Sequence, residues 1–287
     1  MYQYANGNTT VSIYRDGTKT REWEGDASPV FPESIDLKIT DYCDAGCAYC
    51  HEQSTRRGAH ARAGDILRIV DGLPSGSEIA IGGGNPLSHP DLFFVLRKMR
   101  SAGLVTNLTV NAVHLRRFAD DIALLRRESL VYGLGISYHP AHETAIVEVA
   151  DANTVLHVIA GVHGVSRFMS GSSQLPSKML VLGYKRHGFG LKFYDRGVEP
   201  NIAAWRYWIG TLMRRGQYHV SFDNLAIRQL AIRDRVTPEK WGASYMGDDG
   251  QFTMYVDAVR MEFAVSSTSR ERQAIAGKDI REMFAAI

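Results

Sequence analysis

All three cysteines of the chain, Cys43, Cys47 and Cys50, fall within the run ITDYCDAGCAYCHEQ. Their C-x-x-x-C-x-x-C spacing suits a four-iron cubane that takes three thiolates and leaves one iron open to a further ligand. An open iron is a place for chemistry. Two plainer readings compete: buried cysteine can pack as a small hydrophobe, and two of the thiols could join His51 in a zinc site. Neither explains why every cysteine lies on one glycine-containing loop directly after a strand.

A second motif, IGGGNPLSHPDL, follows the next strand. Its glycines let the backbone approach a ligand at little steric cost, and Pro86 fixes the exit. The cysteine run, with Tyr49 just before its last cysteine, resembles the cluster loop of the radical S-adenosylmethionine (SAM) superfamily. The resemblance implies a [4Fe–4S] cluster whose open iron is chelated by the amino and carboxylate groups of SAM. An electron from that cluster would cleave the sulfonium to a 5′-deoxyadenosyl radical. Gly83, Gly84 and Pro86 match the turn that holds the methionyl amino group in the family. Asn85 stands in place of the family's glutamate, so an acceptor is kept and a charge is lost. By the same resemblance Asn111, near the end of the third strand, and Ser137, at the end of the fourth, would contact the cofactor, and Tyr49 would lie against its adenine. The strand segments LHVIAGV and VLG resemble those that pack on the adenine. A turn asparagine and an aromatic packed under the loop are the ordinary alternatives.

The elements that must position these residues alternate in period. Ile35, Leu37 and Ile39 alternate with Asp36 and Lys38, a strand running straight into the cysteine loop. Helical spacing then alternates with strands at EIAI, VTNLTV, VYGLGIS, TVLHVIAG, KMLVLG and YHVSF, with a helix at 200 to 215 and a weaker helical pattern at 162 to 172. Such alternation predicts an α/β fold of parallel βαβ units. The resemblance implies its open form, a partial (β/α)6 TIM-like barrel with its chemistry at the carboxyl ends of the strands. Asp16-Gly17 between two β-like runs predicts an N-terminal hairpin. QFTMYVDAVRMEFAV predicts a C-terminal hairpin, and 270 to 286 a closing helix, neither continuing the barrel. The chain therefore divides into 1–30, 31–235 and 236–287.

Substrate residues are sought in the remaining strand-end loops. GYKRHGFG and the SFDN run offer Lys185, His187 and Asp223 as candidate catalytic or anion-binding groups, with Arg56 and Arg57 beyond the cysteines. Tyr138 and His139 could line the same mouth. The expectation is a small, anionic substrate, either a nucleoside or modified base or an amino-acid-like metabolite. A glycyl-radical-type protein activase and a non-catalytic cluster- and SAM-binding protein are the alternatives. No cysteine remains for the auxiliary clusters of many peptide-modifying relatives. A net charge of +2, from 33 basic and 31 acidic residues, points to no nucleic-acid partner. The start of the chain has no signal-peptide pattern and no apolar run is long enough to span a bilayer. The expected setting is cytoplasmic, with flavodoxin or ferredoxin as reductant and no membrane partner.

Overall fold

The computed structural model describes residues 2–170 and 174–287. At the N-terminus β1 (Tyr2–Asn6), β2 (Thr9–Ile13) and β3 (Lys19–Trp23) form a three-stranded antiparallel sheet. The hairpin around Asp16-Gly17 is present, in register from Thr9↔Trp23 to Ile13↔Lys19, and β1 adds a strand that the sequence did not announce. Tyr4, Val11 and Ile13 give this sheet its own small core.

The main sheet holds β4 (Ser34–Thr40), β5 (Glu78–Gly83), β6 (Val105–Asn111), β7 (Gly133–Ser137), β8 (Thr154–Ile159), β9 (Lys178–Leu182) and β10 (His219–Phe222), side by side in chain order and all parallel. Helices fill most of the crossovers, among them Ala63–Ile69, Leu92–Ser101, Ala119–Arg127, Glu143–Val149 and Val198–Arg215. The helical pattern at 162 to 172 yields only Ser166–Met169; residues 171 and 172 lie outside the described residues.

The C-terminal segment corrects one expectation. β11 (Thr253–Asp257) and β12 (Glu262–Ala264) do form a hairpin, but β11 also pairs in parallel with β4, on the side away from β5. Its apolar residues Met254 and Val256 are buried in the common core, which is why the segment joins the sheet. β13 (Gln273–Ala274) lies where helix was expected, and the closing helix is only Ile280–Ala285. The main sheet is thus a mostly parallel one of ten strands, with β10 at one edge and β13 at the other.

The two faces of this sheet differ. Leu37, Ile81, Leu108, Ile136, Leu156 and Val181 are buried in one core with apolar residues of the crossover helices. Many alternate positions are polar or very small: Asp36, Lys38, Thr109 and His157, with Ala80, Gly82, Gly133 and Gly135, beside the apolar Val155, Ile159, Leu180 and Leu182 of β8 and β9. Strand side chains alternate between faces, so this second set lines space rather than core.

Candidate active site

Strand β4 ends at Thr40, and the chain leaves it as a loop stitched shut at its base. Cys43 N donates to Thr55 O at 2.9 Å, Thr55 N to Asp41 O at 3.1 Å, and Asp41 N to Ala59 O at 2.8 Å. The three cysteines ride on this closed excursion, half-buried and outside any disulfide. Burial pushes the Cys43 and Cys47 thiols up, and neighbouring thiols add to it. Asn111 Nδ2 reaches Cys47 Sγ at 3.5 Å. Asp44, between the first two cysteines, meets His114 Nε2 at 2.9 Å and Arg117 Nη1 at 2.5 Å, which fastens the loop to the chain after β6.

A buried lysine fixes the loop from below. Lys38 Nζ lies 2.6 Å from Asp41, 2.7 Å from Glu52 and 3.1 Å from Asp257. It therefore ties both flanks of the cysteine run to the end of β11. Burial alone would lower Lys38; Glu52, Asp41 and Asp257 outweigh it and hold the ammonium above its ordinary range. Burial alone would raise Glu52; contacts with His51 and Lys38 hold its carboxyl below the usual carboxylate range. His51, bracketed by Glu52 and by Lys185 Nζ at 3.2 Å, is driven down to about 4 by burial and by the Lys185 charge, so it is neutral.

All three cysteines line one cavity of about 280 Å3, together with Tyr49, Gly83, Gly84, Asn111, Ser137 and Lys185. The glycine turn is shaped chiefly by the cysteine loop. Gly84 N donates to Thr40 O at 2.7 Å and Asn85 N to Tyr42 O at 2.6 Å. A Cβ at Gly84 would lie 2.1 Å from Tyr42 O, and Gly83 holds φ at +112° with Thr40 O at 2.5 Å from its Cβ position. Gly82 is different: nothing lies within 4 Å of a Cβ there, and the residue lines the cavity. A side chain at 82 would fill space that a bound group can use.

The donor set fits a cubane better than a single ion. Among the described residues no three His, Cys, Asp or Glu side chains converge on one metal-sized point. A cubane hangs its thiolates on separate irons, so its ligands stand further apart than those of one zinc. His51, the nitrogen a zinc site would need, is occupied with Lys185 and Glu52.

Residues 37–143, which run from within β4 through the cysteine loop to just past β7, match the family model described as the Radical SAM superfamily. This is a radical SAM region. Its cofactors are a [4Fe–4S] cluster and SAM. Among solved structures the chain is similar to Streptococcus suis SuiB bound to precursor peptide SuiA, with a TM-score of 0.62 at 12% identity over 89% of this chain and 65% of that one. SuiB bound to S-adenosylmethionine gives 0.62 at 12% over 90% and 68%, and a further SuiB structure 0.57 at 14% over 89% and 66%. The chain thus spans about two thirds of SuiB's length, and at these identities the likeness is one of fold. No curated protein matches its sequence.

The other expected residues are placed unevenly. Asn85 is buried behind the cavity lining, its Nδ2 given to Ser88 Oγ at 2.8 Å and its Oδ1 without a partner among the described residues. Tyr49 packs edge-on against Phe193 and His163. Tyr138 lines the cavity, whereas His139 caps the turn after β7 by accepting from Ala141 N. His187 does not line this cavity. Asp223 Oδ1 accepts from Gly183 N at 2.9 Å and Ala226 N at 2.7 Å, the work of a helix cap. Arg56 lines a shallow pocket on the outer side of the cysteine loop and Arg57 is exposed, so neither joins Lys185 as the expected anion pocket requires. Sequence reasoning missed Asp36, Lys38, Thr109, His157, Tyr255 and Ser267, all of which line the cavity. Polar residues alternating through apolar strands were the available signal for the first four. Tyr255 and Ser267 come from the C-terminal segment and carried none.

Proposed function

We propose that the protein is an enzyme that reductively cleaves SAM at its [4Fe–4S] cluster to a 5′-deoxyadenosyl radical and abstracts a hydrogen atom from a small organic substrate. The observation that carries this reading is the placement of Cys43, Cys47 and Cys50 on one stitched loop, facing one cavity with the glycine turn, Asn111 and Ser137. The three thiolates are the proposed cluster ligands. Gly83, Gly84, Asn111, Ser137 and Tyr49 are proposed to bind SAM, with Asn85 Oδ1 as a buried acceptor behind the turn. Gly82 keeps room for it. Of the candidates for substrate chemistry, Lys185 is retained because it faces the cavity and an anionic substrate group there would meet its ammonium. His187 and Asp223 have weaker support.

The finer architecture belongs to the same proposal: β4 to β9 form the partial (β/α)6 barrel within residues 31–235, with β10 as a seventh parallel strand, 1–30 as an N-terminal cap and 236–287 as an extension that lends β11 and β12. An acidic one-electron protein such as flavodoxin or ferredoxin is the proposed reductant. Three thiols that must stay unpaired favour a reducing compartment such as the cytoplasm. No helix among the described residues is long and apolar enough to cross a membrane.

Anaerobic reconstitution should load about four irons per chain, inferred from the three-thiolate loop. Dithionite should then convert SAM to 5′-deoxyadenosine and methionine, and Cys47→Ala should lose both iron and cleavage. Stoichiometric zinc without iron–sulfur absorption would sink the cluster assignment. Iron with SAM binding but no 5′-deoxyadenosine would favour a non-catalytic binding protein, and cleavage that needs a partner protein would favour an activase.

A further inference from the structure

Beneath the cofactor cavity lies a larger one of about 660 Å3, and the two share Asp36, Thr109, His157 and Lys185 as walls. The space exists because inward positions of β5 and β7 are Ala80, Gly133 and Gly135. At Gly135 a Cβ would meet His157 Cε1 at 2.5 Å, so the glycine lets the imidazole lie across β7. The N-terminal hairpin closes the far end: Asp16 O accepts from Lys178 Nζ at 2.9 Å, and Tyr14 O from Tyr132 Oη at 2.6 Å.

Two ionisable groups in this chamber have no hydrogen-bond or ion-pair partner among the described residues. Asp36 is solvent-exposed where it lines both cavities, and among the described residues nothing hydrogen-bonds to it or pairs with it. His157 likewise makes no hydrogen bond through its ring. The contrast with Lys38, two residues along the same strand and held by three carboxylates, is plain. Nearby Asp223 and Asp249 are already engaged, with backbone amides and with Asn224 Nδ2. An unpaired carboxylate in a concave, protein-walled space attracts a cationic ligand more strongly than one on an open surface, because the low-dielectric walls focus its field.

We propose that this lower cavity binds a small amine-bearing substrate whose ammonium group pairs with Asp36. This rests on the radical-enzyme reading above and names the substrate class for that site. His157 offers a neutral imidazole to the same molecule. Lys185 stands where the two cavities meet, donating to Ser267 Oγ at 2.8 Å, so an anionic end of the molecule would lie toward the cofactors. An amino-acid-like substrate satisfies both ends.

The test uses the reconstituted holoprotein with SAM and three probes of one size: butylammonium, butanol and butyrate, followed by saturation-transfer NMR. Butylammonium should bind best, and Asp36→Asn should weaken it about ten- to a hundredfold, the range expected for losing a charge-assisted contact. Thr109→Val, an uncharged change on the same wall, should weaken it far less. Thermal midpoints show whether each variant is folded, and if Asp36→Asn is not, Asp36→Ser takes its place with the same expected loss. Preference for butyrate, binding of none of the probes, or an unchanged affinity in the folded Asp36 variant overturns the proposal. Cluster absorption and 5′-deoxyadenosine from the unsubstituted protein are read separately: their loss with amine binding intact counts against the radical reading alone.

Discussion

Lys38 concentrates at one atom what holds the cysteine loop in place. Its ammonium faces three carboxylates from Asp41, Glu52 and Asp257, two flanking the cysteines and one ending β11, and its side chain is 3% exposed. Lys38→Met would keep the volume and leave those carboxylates facing one another with no cation. Removing one partner of a buried ion pair costs about 3–5 kcal/mol. The urea midpoint of the iron-free variant should fall accordingly, and iron retained after gel filtration should fall with it. An unchanged midpoint would mean that the carboxylates find other partners. Gly135 sets a second limit at this scale. Gly135→Ala would drive a methyl into the His157 ring, and overpacking of this kind costs about 1–3 kcal/mol, read from the same unfolding curves.

Among the elements, the last helix shows how local chemistry trims a pattern. Apolar spacing allowed helix from 270, but Gly277 takes φ of +82° and Asp279 caps the segment that follows. Asp279 Oδ1 accepts from Glu282 N at 2.8 Å while Glu282 Oε2 accepts from Asp279 N at 2.9 Å, a reciprocal capping box. The helix therefore begins at Ile280 and buries Ile280, Met283 and Phe284. Asp279→Ala should cost about 1 kcal/mol, seen as a lower thermal midpoint with the cluster still loaded. The parallel strands β4 to β10 were legible because each apolar run has its own period and its own bounding turn. β11 was not, because a strand's register partner is chosen by contact and not by neighbours in sequence.

For the molecule as a whole, acid should be destabilising for a reason written inside the sheet. Burial drives His157 down to about 4, helped by Lys185, and drives His163 down to about 4, helped by His139. Both are neutral in the folded protein at pH 7. An unfolded histidine titrates near 6.5, so below that pH the unfolded chain takes up protons that the folded one refuses. Stability from these groups is complete above about pH 6.5 and is lost progressively as pH falls toward about 4. Urea unfolding of the iron-free protein at pH 7.5, 6 and 5 should show falling midpoints. His163→Gln should flatten part of that slope; an unaltered slope would assign it to other groups.

The sequence by itself determined the cysteine motif of the cluster site and the alternation of strands with helices from β4 to β10. Three thiols on one short loop are a local fact, and so is the switching period that sets strand against helix, since both depend on residues close together in the chain. Only the tertiary structure decided which strand-end residues share a cavity. It kept Arg56 and Arg57 out of the cysteine cavity, used Asp223 for capping, and withdrew Asn85 behind the turn. It also brought Tyr255 and Ser267 to the cavity from the far end of the chain and left Asp36 there unpaired. Spacing in sequence fixes which face of a strand a side chain takes; the neighbours on that face come from pairing across the sheet, where residues far apart in the chain first meet.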